Sequence, residues 1–78
     1  MGLEGHIKIV LANKSPQMKY FYFFEDGKVI FYDQDRAEEA KEILDDSGQF
    51  GPTTVVKEGD HWVIEIGKFS LHSSISRV

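Results

Sequence analysis

The 78-residue chain has no cysteine, two prolines, one tryptophan, and no apolar run approaching the ~20 residues that span a bilayer. Without cysteine there is no disulfide scaffold, so a chain this short must hold itself together by apolar packing, within one copy or between copies. The start MGLEGHIKIV lacks a cationic segment followed by an apolar one. The expectation is therefore a cytoplasmic protein without a signal peptide or membrane segment.

The catalytic inventory is equally thin. There is no Gly-x-Ser-x-Gly elbow, no Gly-x-x-x-x-Gly-Lys phosphate loop and no His-Glu-x-x-His pair. His6, His61 and His72 are too scattered along the chain for a local metal motif, and a lone histidine implies nothing until a second ligand stands beside it. Asp33-Gln34-Asp35 opens like a calcium loop but has Ala37 at the third ligand position and no glycine at the sharp turn, so a helix cap accounts for it better. These readings predict a non-enzymatic protein with no metal or other cofactor.

What is present describes one folded domain over residues 1–78: 41% hydrophobic, 13% aromatic and 28% charged residues. The strongest local signal is KYFYFFEDGKVIFYD, residues 19–33, where two aromatic and β-branched runs flank Asp26-Gly27. Asp-Gly suits a type I′ turn, which predicts a hairpin pairing Glu25 with Lys28, Phe24 with Val29, Phe23 with Ile30, Tyr22 with Phe31 and Phe21 with Tyr32. Alternation then puts Tyr20, Tyr22, Phe24, Val29 and Phe31 on one face, and Phe21, Phe23, Ile30 and Tyr32 on the other. Both faces are apolar, so both need cover.

Around this hairpin the patterns predict further elements. Residues 6–12, HIKIVLA, alternate as a strand with Ile7, Ile9 and Leu11 on one side. Residues 35–44 read as a helix capped by Asp35, with Glu38 completing a capping box and Gly48 as the stop; Ala37, Ala40, Ile43 and Leu44 form its narrow apolar stripe. Residues 53–69 form a second hairpin, turning either at Gly59-Asp60 or through a four-residue loop from Lys57, and the tail through Phe69 and Leu71 has room for a sixth strand. The predicted fold is α+β: an antiparallel β-sheet in the order β-β-β-α-β-β with one amphipathic helix on a face. That stripe is too narrow to cover the aromatic hairpin alone. The second hairpin is expected to fold over the remaining face, or a homodimer to bury it.

Charge is distributed unevenly. Residues 33–46 carry seven acids (Asp33, Asp35, Glu38, Glu39, Glu42, Asp45, Asp46) and two bases (Arg36, Lys41), a local −5, which leaves +1 for the rest of a chain whose net charge is −4. This asymmetry selects Asp35, Glu38, Glu39, Glu42, Asp45 and Asp46 as a partner-binding face for a basic protein, and as one form of it a face that mimics phosphate charge and competes with nucleic acid for that cationic protein. Tyr20, Phe21, Tyr22, Phe23 and Tyr32 are the candidates for a dimer face. The alternative is a single-stranded nucleic-acid binder that stacks bases on those aromatics with Lys19 and Lys28 nearby. Acids interspersed among the lysines weigh against a continuous phosphate groove.

Overall fold

The computed structural model describes residues 2–67. The Asp-Gly hairpin forms as its sequence dictates, with β1 at Tyr22–Glu25 and β2 at Lys28–Phe31. Asp26 and Gly27 both take positive φ, 54° and 77°, the pattern of a type I′ turn. The register matches the expected pairing from Tyr22↔Phe31 through Glu25↔Lys28. The Tyr32 amide donates to the Phe21 carbonyl at 3.5 Å, a weak continuation of the same ladder.

The second hairpin comprises β3, Thr54–Glu58, and β4, His61–Glu65. Its strands pair Glu58 with His61, so the turn is the two-residue Gly59-Asp60, with Gly59 at φ 62°. This hairpin does not fold over the first. β4 pairs with β2 through Val29↔Ile64, Ile30↔Val63 and Phe31↔Trp62, giving one antiparallel sheet in the order β1-β2-β4-β3. The expected cover for the second aromatic face is thus an extension of the sheet itself, because apolar β2 offers a ladder as well as a surface.

Residues 6–12 are not a strand. They lie inside α1, Leu3–Lys14, and the element order is α-β-β-α-β-β, with a 3₁₀ turn at Pro16–Tyr20 after the first helix. The spacing of Leu3, Ile7 and Leu11 is four residues, which places side chains on one face of a strand and one face of a helix alike. Ile9 separates the two readings: a strand would bury it with Ile7 and Leu11, whereas it is 46% exposed. Tertiary packing decides, since α1 lies against both the 3₁₀ turn and the second helix.

That second helix, α2, runs Gln34–Ser47 and is longer at both ends than the predicted residues 35–44. Its cap is Asp33 rather than Asp35, because Asp33 Oδ1 accepts the Asp35 amide at 3.0 Å. The predicted capping box built on Asp35 and Glu38 is accordingly not the start of the helix. Gly48 ends it at φ 76°, a left-handed conformation that glycine adopts without strain.

The apolar stripe of α2 is as expected: Ala37, Ala40 and Leu44 are fully buried and Ile43 packs beside them. The two alanines let the helix approach the sheet closely. What the narrow stripe leaves uncovered is filled by Ile7 and Leu11 of α1, Met18 of the 3₁₀ turn and Phe50 of the loop after α2, packed on Val29, Phe31 and Ile64. The fold is therefore a small two-layer α+β domain with, among the described residues, four antiparallel strands under two helices. The sixth strand expected through Phe69 and Leu71 falls outside the described residues.

Candidate functional site

Three surfaces carry the side chains singled out by sequence. The first is α2. Of its two cations, Arg36 pairs with Glu39 at 3.0 Å and Lys41 with Asp45 at 2.8 Å. Both pairs join residues three or four apart, which the helix makes neighbours.

Asp45 has a further task. One of its oxygens, Oδ1, accepts both the backbone N–H and the hydroxyl of Thr53, each at 2.9 Å, while Oδ2 accepts from Lys41. Partial burial works to raise the Asp45 pKa, but the hydrogen bonds from Lys41 and Thr53 together hold it below the usual carboxylate value. The same hydrogen bond from Lys41 to Asp45 raises the lysine pKa. Glu39 and Asp45 are thereby committed within the chain. Asp35, Glu38, Glu42 and Asp46 remain exposed at successive three- and four-residue intervals, forming one acidic ridge on the solvent side of α2. Asp46 also borders a cleft of about 310 Å³ with Lys14, Asn13 and Gln49, where Gln49 Oε1 is buried without a hydrogen-bond partner among the described residues.

The second surface is the sheet face turned away from the helices. Phe23, Ile30, Val63 and Val56 are successive cross-strand partners and so form one apolar row across all four strands. Beside it the rings of Phe23, Tyr32 and His61 cluster, with centroids 5.4 Å apart for Phe23–Tyr32 and Tyr32–His61 and 6.3 Å for Phe23–His61. Among the charges of the strands on this face, Glu25, Glu58 and Glu65 outnumber Lys28.

The five aromatic residues expected to form one dimer or stacking face are divided by the structure. Tyr22 belongs to the core side, with its ring 5.4 Å from those of Phe24 and Phe31, and burial pushes its hydroxyl pKa up. Phe21 precedes the strand, leaves the alternation and packs on the core beneath the Arg36 guanidinium, 4.5 Å from its ring centroid. Tyr20 ends the 3₁₀ turn, 74% exposed. Only Phe23 and Tyr32 share the outer face.

The third surface brings together Lys19, Tyr20, Tyr22 and Phe23, four of the residues expected on the stacking face. A cleft of about 320 Å³ lies along the β1 edge, lined by Lys8, Lys19, Tyr20, Tyr22, Phe23 and Phe24. Lys8 reaches it only because residues 6–12 are helical, and the ammonium of Lys19 stands 5.3 Å from the Tyr20 ring centroid. Lys19 and Lys28 are thus on different surfaces.

Among the described residues no group of three or more His, Cys, Asp or Glu side chains is placed to hold a metal ion, and no helix is long and apolar enough to cross a membrane. No protein-family model, curated protein or solved structure matches the chain.

Proposed function

We propose that this is a small non-enzymatic interaction protein whose α2 ridge of Asp35, Glu38, Glu42 and Asp46 docks on a basic protein. The observation that carries the reading is the pairing within α2: Arg36 and Lys41 form their direct ion pairs with Glu39 and Asp45, so the ridge carboxylates are in no ion pair among the described residues, and only the weaker attraction of Lys41 reaches Glu38 and Glu42. Four carboxylates on one helical line attract a cationic surface over about a Debye length, roughly 8 Å at physiological salt.

Charge density bears on the kind of partner. The ridge spans eleven helical steps, about 17 Å at 1.5 Å each, so its charges are spaced by roughly 5–6 Å. Duplex DNA carries one charge per about 1.7 Å. The ridge is therefore a much weaker field than nucleic acid, which favours a basic protein surface bound for itself over competition by phosphate mimicry.

The test is affinity capture from the native host with the wild-type chain and the D35N/E38Q/E42Q/D46N variant side by side. All four positions are exposed, so the variant keeps its circular dichroism spectrum. Basic proteins retained by the wild type at low salt should be lost from the variant, and the same set recovered on both would end this reading.

Nucleic-acid binding is the second reading, favoured by the ring cluster of Phe23, Tyr32 and His61 on the outer sheet face. The glutamates around that cluster repel phosphate, which places it behind the first. Titration with short oligonucleotides at low salt should leave tyrosine and tryptophan fluorescence flat; saturable quenching would reverse the ranking.

A further inference from the structure

We propose that β1 is the self-association edge of this protein, pairing antiparallel with β1 of a second copy about a two-fold axis through Phe23. The direction of its backbone groups leaves β1 open to pairing. In a two-residue hairpin the residues flanking the turn, here Glu25 and Lys28, exchange hydrogen bonds, and the bonded pairs then alternate. Phe23 is accordingly directed at β2, as is Phe21, whose carbonyl accepts from Tyr32. The N–H and C=O groups of Tyr22 and Phe24 point the other way. β1 is an edge strand, and no backbone hydrogen bond from another described residue reaches these groups.

The strand itself carries one charge, Glu25, and the lysines beside it, Lys8 and Lys19, stand on neighbouring elements rather than in the strand. Tyr-Phe-Phe-Glu contains no proline, lysine or bulge, whereas the opposite edge, β3, has Lys57 among its outward-directed residues and Pro52 just before it. The accessible side of β1 is a cleft rather than a covered seam. The edge is too short to satisfy many partners, but it suits itself. Tyr22 of each copy stands opposite Phe24 of the other, which completes two reciprocal bonded pairs.

Charge selects the orientation. Lys19 precedes the strand and Glu25 ends it. Antiparallel pairing brings Glu25 of one copy toward the Lys19 end of the other, while parallel pairing would set like charges together. The apolar row on the outer face also becomes continuous, with the two Phe23 side chains adjacent at the axis. Pairing at the sheet edge is independent of whether the α2 ridge binds a basic partner.

Amide hydrogen exchange on the wild-type chain across a concentration series tests this directly, with sedimentation equilibrium on the same samples. The expected result is a mass rising from one chain to two, with the Tyr22 and Phe24 amides slowing in step and Val55 and Lys57 of the opposite edge unchanged. Reversing one charge, E25K or K19E, should weaken association by roughly threefold to tenfold, and the double variant should restore it. Monomeric behaviour at high concentration overturns the proposal. So does a dimer in which Tyr22 and Phe24 keep exchanging rapidly, since that would locate the contact on another surface.

Discussion

Asp45 shows how one side chain of an acidic segment can be structural while its neighbours are free. It ties the last turn of α2 to Thr53, a buried residue at the entry to β3, and satisfies two donors of Thr53 that would otherwise be left without a partner. Replacement by alanine should cost about 1–3 kcal/mol in denaturant unfolding, the range for unpaired buried polar groups, whereas E38Q or E42Q should change stability by less than about 0.5 kcal/mol. The pH dependence has a definite sign. Because the folded-state pKa of Asp45 is depressed, its contribution is complete above the ordinary carboxylate pKa of about 3.9 and is lost as pH falls through the folded value. Acid unfolding of D45N should therefore lack part of the steepness seen in the wild type below about pH 4. Composition alone could not separate Asp45 from Asp46, since the distinction comes from Thr53, eight residues away.

At the scale of elements, turn chemistry was the most readable part of the chain and amphipathic periodicity the least. Asp26-Gly27 and Gly48 each announced a backbone conformation that only a few residue types adopt, and each is found where expected, while Gly59-Asp60 is one of the two turns that the sequence left open. Substituting Gly48 by alanine should cost about 1–2 kcal/mol, the strain of a Cβ at positive φ. The helix α1 was hidden because a four-residue repeat satisfies both periods, and because it starts at Gly2 with no side-chain cap. Its helical nature makes a contrast that a strand would not. I9K should be nearly neutral, within about 0.5 kcal/mol, while L11A should cost about 2–5 kcal/mol. Equal losses at both positions would mean that residues 6–12 are buried as a strand buries them. Phe50 is a comparable omission: it sits in a segment with the composition of a loop, SGQFGP, yet is fully buried in the core between the helices and the sheet.

For the whole molecule, the described residues supply cover for one of the two hairpin faces, and the reason lies in how a small chain divides its apolar residues. One face receives both helices, the 3₁₀ turn and Phe50. The other receives no helix or strand among the described residues, and on it Val63, between Ile30 and Val56 on neighbouring strands, is 1% exposed. Phe23 on the edge strand is only half-buried. The two faces should therefore differ sharply in what a deletion costs. F31A, at a fully buried position between α2 and the sheet, should lose about 3–5 kcal/mol. F23A, measured at concentrations too low for self-association, should lose about 1 kcal/mol or less, since most of its ring contacts are with Tyr32 and His61 on the open side. A comparable loss at both positions would show that the outer face is packed in the isolated chain, and the sheet would then have two cores instead of one.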